Sequence, residues 1–228
     1  MYVSHKYKLI FLRTPKTASS SLSEFFIKNI PDHDAIYTPV EDSNILGTLN
    51  KDIINKYKSH YKYYHFTLQD LVDNRIITPM AAIEYKKIAV IRNPIDRQKS
   101  FYYFYRKWKA PGTPPSIEQY KAWTHNGAFI GEPNSAILQS DILKFNNEIH
   151  GDYWLYQNFH NDLSKLMREL NLSVTHVLPQ HKNDFRKNRD NEIVFDEQAV
   201  NTLRTAFGAD MDLYNELLEE TYIWKLTS

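Results

Sequence analysis

Apolar residues occur in two kinds of run along this chain, and each kind predicts a different element. Lys8–Leu12 and Lys87–Ile91 (KIAVI) are short, continuous apolar runs, the pattern of strands buried on both faces. Tyr153–Tyr156 is a third candidate strand. Elsewhere the spacing is helical. Leu22, Phe25 and Phe26 share one face of a helix predicted over Ser19–Asn29. Thr67 suits the N-cap of a short helix ending near Asn74. Asn93-Pro94 offers a cap and a proline at the first helical position, which predicts a helix running to about Lys107. Further helices are expected over Ile117–His125, His160–Leu170, Glu197–Phe207 and Asp210–Glu219. Pro31–Asn50 reads as loop, and so does Ala110–Ser116 (APGTPPS), which suits a substrate lid.

Buried strands that each lead into a helix predict an α/β fold with a central parallel sheet flanked by helices. No linker interrupts the chain, so residues 1–228 are expected to form a single domain. The composition agrees with a globular protein: 42% hydrophobic and 24% charged residues. The net charge of +1 weighs against a general polyanion binder, so any anion site must be a local patch. The absence of cysteine excludes disulfides, thiolate zinc sites and a cysteine nucleophile. No apolar run is long enough for a signal peptide or a membrane span, so a soluble, cytoplasmic protein is expected, without a membrane partner. The initial Met without an anchor argues against a Golgi-resident enzyme.

The chemistry concentrates in FLRTPKTASSSL, residues 11–22. A strand, a tight loop and a helix start together make an anion site, because the first N–H groups of the helix lack partners and its dipole adds positive charge. Small residues let the backbone approach an anion. Thr17, Ser19, Ser20 and Ser21 add hydroxyl donors, and Lys16 adds a mobile full charge. The same residues also suit a capped helix with a surface lysine. The loop has no glycine and is not a G-x-x-x-x-G-K-[ST] phosphate loop. Arg92, not an acid, follows the second strand, where a nucleotide hydrolase would carry its magnesium ligand. A metal-free site with a second phosphate to bind is therefore expected. In IRNPIDRQKSFYYFYR, Ile91–Arg106, Arg92 and Ser100 could converge on that phosphate, with Ser100 and Arg97 sharing a helix face. A surface ion pair for Arg92 and a solvent-facing Ser100 are the alternatives.

The two segments together resemble the nucleotide-binding signature of sulfotransferases that use 3′-phosphoadenosine 5′-phosphosulfate (PAPS). RTPKTASSSL is similar to that family's loop for the 5′-phosphosulfate, and IRNPIDRQKSFYYF to its 3′-phosphate motif. The likeness is greatest to carbohydrate enzymes of the uronyl 2-O-sulfotransferase type, whose loops also read P-K-T-A-S. LPQH at Leu178–His181 and DMDLYNEL near the C-terminus are similar in outline. The resemblance implies a P-loop-like three-layer α/β fold. It implies that Lys16, Thr17, Ala18, Ser19 and Ser20 hold the 5′ end of the nucleotide, and Arg92 and Ser100 its 3′-phosphate. Thr14 and Ser21 are further candidate cofactor contacts, and Arg13, at the strand end, could contact the cofactor's transferring group or the acceptor. It further implies sulfuryl transfer from PAPS to an acceptor hydroxyl, that of a saccharide, with PAP as product and no metal or nucleic acid.

In such a transfer Lys16 would stabilise charge on the leaving oxygen and a general base would take the hydroxyl proton. His65, in YKYYHFTLQDL, is the leading base among nine histidines, and His60 the runner-up. A histidine base predicts activity that rises as imidazole deprotonates, near its ordinary pKa of about 6.5. Arg97–Lys109 is rich in Lys and Arg and contains no acid, and could line a groove for an anionic substrate. Lys182, Arg186 and Lys187 are weaker candidates for cofactor or substrate contact, and Tyr102 and Tyr103 suit the core or a cofactor wall. Two other functions remain open on the residues alone: a P-loop-type nucleotide kinase or NTPase, and a non-catalytic polyanion-binding module. Missing glycines and the missing magnesium acid weigh against the first, and near-zero net charge against the second.

Overall fold

The computed structural model describes residues 1–40, 43–57, 64–108, 116–125, 137–180 and 194–227. The chain divides into two compact units, Met1–Ile91 with Gln139–His181, and Arg92–Leu138 with Lys182–Ser228.

The first unit is built on a sheet. Its strands are β1 (Tyr2–Ser4), β2 (Leu9–Phe11), β3 (Ile36–Tyr37), β4 (Lys86–Ile91) and, past a small hairpin of β5 (Lys144–Phe145) and β6 (Glu148–Ile149), β7 (Asp152–Leu155). Their order across the sheet is β3-β1-β2-β4-β7. β2, β4 and β7 are parallel, with Phe11 opposite Ile88 and Ile91 opposite Leu155. These contain the apolar runs of the sequence, whose residues Leu9–Phe11, Ile88–Ile91 and Tyr153–Leu155 are buried, as parallel strands under helices require. β1 pairs antiparallel with both β2 and β3, so the sheet is mixed, not wholly parallel. The cause is local: the turn from His5 to Lys8 is too short for a crossover, so the chain can only double back.

Helices flank this sheet. α1 (Ser19–Asn29) lays Leu22, Phe25 and Phe26 on it, with the Phe26 ring 5.0 Å from Phe11 and 5.8 Å from Tyr2. Short helices α2 (Lys51–Tyr57), α3 (Leu68–Asp73) and α4 (Pro79–Glu84) precede β4. α3 starts with a reciprocal cap: Asp70 N–H donates to Thr67 Oγ1 and Thr67 N–H to the Asp70 carboxylate. Gly151 leads into β7 at φ 121°, where an added Cβ would lie 2.6 Å from Lys87, so only glycine fits beside β4.

The second unit is helical among its described residues: α5 (Pro94–Trp108), α6 (Ile117–His125), then, with α7 (Phe159–Glu169) belonging to the first unit, α8 (Glu197–Ala206) and α9 (Gly208–Thr227). Tyr102, Tyr120, Phe195, Leu203 and Phe207 form its core, and Tyr102 lies 4.6 Å from Tyr120, ring to ring. This places Tyr102 in the core.

Candidate functional site

The loop between β2 and α1 is tied down before it reaches the helix. Thr14 is fully buried and its hydroxyl donates to Val90 O of β4 at 2.5 Å. Thr17 Oγ1 donates back to Thr14 O at 2.9 Å. Between and after these anchors the backbone turns left-handed twice, at Lys16 (φ 64°) and at Ala18 (φ 59°). Neither residue is glycine, and such conformations cost about 1–3 kcal/mol each when a side chain is present. Left-handed turns of this kind make the concave N–H cradles that bind anions. Ala18 is the N-cap of α1 and has no side-chain acceptor; no side chain caps the helix. Its methyl instead packs on the apolar core. The helix start carrying Ser19, Ser20 and Ser21 thus presents positive dipole with no acid in its first turn and no cap bond from the N-cap side chain. Ser19 and Ser21 are buried, while Lys16 and Ser20 are half-buried.

Arg13 joins this loop to its surroundings. Its guanidinium is buried, donating from Nη1 to Pro39 O at 3.0 Å and from Nη2 to Ser20 Oγ at 2.8 Å. The ring of Tyr64 lies 5.5 Å from the guanidinium carbon. The Arg13 carbonyl meets His65 Nδ1 at 2.8 Å. A carbonyl can only accept, so Nδ1 carries the proton and Nε2 holds the lone pair. Burial, then the positive charge of Arg13, hold the His65 imidazolium far below the ordinary histidine range, at about 3. This differs from the sequence expectation of a titration near 6.5: burial of the ring is the main cause, and the charges of Arg13 and Lys16 add to it. The α3 cap follows His65 by two residues and fixes the backbone on that side. Lys16, the serine run and His65 are therefore brought together around Arg13. Tyr64 and the Pro39 carbonyl are contacts that no spacing in the sequence marks; the only signal for Tyr64 is its adjacency to His65.

Arg92 follows the last residue of β4. Asn93 Oδ1 accepts from the N–H groups of Ile95 at 3.0 Å and Asp96 at 3.2 Å, capping α5. Arg92 is buried and its Nε donates to Asp96. Ser100 lies half-buried on α5. Arg97 differs from its expected place in a cationic groove. It is 1% exposed, its Nη1 donates to Ile137 O at 2.7 Å, its guanidinium lies 4.9 Å from the Phe207 ring, and Nη2 is 3.7 Å from Asp210. Helical position decides this: Arg97 sits one turn before Phe101, which is also buried, and so faces inward. Asp210, the first residue of DMDLYNEL, is fully buried as its counter-charge.

His60, Lys182, Arg186, Lys187 and the expected lid over residues 110–115 lie outside the described residues. Among the described residues there is no cluster of three or more His, Asp or Glu suited to a metal, and no helix long and apolar enough to cross a membrane.

The sequence matches the sulfotransferase family over residues 1–215, which spans nearly the whole chain. The chain belongs to the sulfotransferase family. A crystal structure of a sulfotransferase from Alicyclobacillus acidocaldarius is similar over 93% of this chain and 100% of its own, with 14% identity and a TM-score of 0.46. No curated protein matches the chain. The sulfotransferase match includes both segments described above, the Arg13–Leu22 loop and the Arg92–Ser100 motif.

Proposed function

We propose that this sulfotransferase moves a sulfuryl group from PAPS to a hydroxyl of a carbohydrate. The observation that carries the reading is the Arg13–Ser21 loop. It has two left-handed residues without glycine, an α1 start with no side-chain cap, and Lys16 in the same loop as the carbonyl that orients His65. This donor set suits an anion with several oxygens: backbone N–H groups, serine hydroxyls and one mobile ammonium. Thr17, Ala18, Ser19, Ser20 and Ser21 would hold the 5′ end. Arg92 and Ser100 would hold the 3′-phosphate, with Asp96 orienting the Arg92 fork through Nε. Thr14 contributes through its backbone, since its hydroxyl serves Val90. Arg13 shapes the loop through Ser20 and Pro39.

Bound PAPS supplies an activated sulfuryl group whose displacement leaves a nucleotide phosphate. Lys16 would balance the negative charge that grows on the leaving oxygen. His65 Nε2, left as the acceptor by the Nδ1 bond, would take the proton of the attacking hydroxyl. No metal is needed for either role.

The test is calorimetry with PAP in the presence of EDTA. PAP is expected to bind, and more tightly than AMP. Equal affinities would remove the 3′-phosphate role of Arg92 and Ser100. Transfer of labelled sulfate from PAPS to desulfated uronate-containing glycans, compared with phenols and simple alcohols, tests the acceptor class; transfer to phenols alone would overturn it.

A further inference from the structure

His65 is held by two attachments, and both end on the same sheet. One is direct: ring Nδ1 donates to the Arg13 carbonyl, just past β2, at 2.8 Å. The other runs through the backbone. Phe66 is fully buried next to His65, with the Tyr57 ring edge-on to it at 5.2 Å. Leu68 N–H, among the first donors of α3 and so without a partner inside the helix, donates to Ile142 O at 2.8 Å. One residue further on, Gln69 Oε1 accepts from Asn146 N–H at 3.1 Å. The chain from Gln139 to Asn146 is therefore docked on the first turn of α3. That chain is fastened in turn by one phenol. Tyr153, on β7 opposite Ala89 of β4, is buried, and its hydroxyl donates to Gln139 O at 2.8 Å and accepts from Leu143 N–H at 3.1 Å. Gln139, Ile142 and Leu143 are fully buried as well. One hydroxyl thus spans both ends of the turn that offers the Ile142 carbonyl, using its donor and an acceptor pair at once. Phenylalanine would fill the same space in the core; the oxygen is what adds the staple.

We propose that Tyr153 is a positioning residue for His65, acting through the Gln139–Leu143 turn and the first turn of α3. β2 and β7 each pair in register with β4. The ring is fixed to the end of β2 by its own bond, and the backbone that carries it is fixed to β7 through Tyr153, Ile142 and Leu68. The base and the β2–α1 loop are therefore referred to one rigid sheet, although His65 itself lies in a connection between strands. Without the Tyr153 hydroxyl the turn loses the bonds at both of its ends, the Ile142 carbonyl is no longer held, and the start of α3 gains freedom. The Nδ1–O bond to Arg13 then loosens, and with it the tautomer that leaves Nε2 as the acceptor. The loss falls on proton acceptance and leaves nucleotide binding as it was.

The inference rests on His65 being the base, and the experiment separates the two. The full chain is labelled with ¹⁵N-histidine and its ring nitrogens are observed by NMR at neutral pH, with the His65 signals identified by their absence in His65→Gln. Wild type is expected to show His65 with its proton on Nδ1. Tyr153→Phe is expected to show a mixture of the two neutral tautomers and an unchanged Kd for PAP by calorimetry. Its kcat for transfer from PAPS to a desulfated uronate-containing glycan should fall by about ten- to a hundredfold, the scale of a misplaced catalytic group. A merely structural Tyr153 would lower the urea midpoint and leave the tautomer and kcat as in wild type; that result overturns the inference. Wild-type turnover in His65→Gln overturns the base reading alone, and the tautomer signal still decides whether Tyr153 holds the ring, with or without turnover. If Tyr153→Phe does not fold, Gln69→Ala decides, since it removes the Asn146 tie to the same helix turn. A shift of the His65 tautomers in Gln69→Ala supports the inference, and a wild-type spectrum overturns it.

Discussion

A single lysine carries the most direct prediction. Lys16 is half-buried on a left-handed residue of the β2–α1 loop; under the proposed function its ammonium would act as the bond to the leaving oxygen breaks. Lys16→Ala is expected to lower kcat by more than it raises the Kd for PAP. Arg92→Ala should do the reverse and mainly weaken PAP binding. Near-normal turnover of Lys16→Ala under saturating PAPS would remove its role. His65 makes a prediction about stability as well as rate. Its folded pKa of about 3 lies below the unfolded value of about 6.5, so the unfolded chain binds more protons between those values. Its effect on folding is therefore neutral above about pH 6.5, and stability is lost as pH falls toward 3. Urea midpoints between pH 4 and 7 should fall less steeply in His65→Gln than in wild type; parallel curves would contradict the shifted titration. Arg13 was legible in the sequence as a cation at a strand end. Its bonds to Pro39, Ser20 and His65 were not, because they join residues far apart in the chain through a fold that no local pattern encodes. Arg97 shows the reverse limit: its charge suggests solvent, and only the helical position relative to Phe101 shows that it is buried.

At the level of elements, start signals explain what could be read in advance. α1, α5 and α6 begin and end close to where caps, prolines and periodicity predict, since those signals act within one turn of the helix. β1, β3 and the β5–β6 hairpin were not legible, because two or three residues cannot show a period and their pairing partners are set by the sheet. α2 and α4, of seven and six residues, each span fewer than two turns and show no clear helical period in the sequence. The capping box of α3 is the device that ends the His65 segment. Thr67→Ala should cost about 1 kcal/mol, read as a lower urea midpoint with unchanged slope. It should also reduce kcat if the cap helps to hold the ring. In the second unit, Arg97 and Asp210 form a fully desolvated pair. Asp210→Ala leaves a buried guanidinium without its carboxylate, and a loss of about 3–5 kcal/mol is expected by denaturant unfolding. A change below 1 kcal/mol would show that the Ile137 carbonyl and the Phe207 ring suffice for Arg97.

For the molecule as a whole, ligand linkage gives the simplest test. PAP at one hundred times its Kd should stabilise the fold by about 2.7 kcal/mol, which for a chain of this size is a rise in Tm of about 5–11 °C. AMP at the same concentration should give much less, and EDTA should change neither. A Tm rise that requires magnesium would favour a nucleotide kinase chemistry over sulfuryl transfer.

The ladder between β2 and β4 has a consequence for how such a protein can diversify. Leu12 N–H donates to Ile88 O at 2.9 Å and Thr14 to Val90, so the donor loop is registered on β4 by strand pairing and not by the length of chain between them. More than seventy residues separate Leu12 from Ile88 in sequence, yet adding residues to the connectors among them would leave that register unchanged. Insertions at the exposed turns of this stretch, such as around Leu46, should be absorbed with little change in donor affinity, while a one-residue deletion inside β4 should abolish it. The exposed connectors after α1 are where new acceptor pockets can be tried while the β2–α1 loop and its register on β4 stay unchanged.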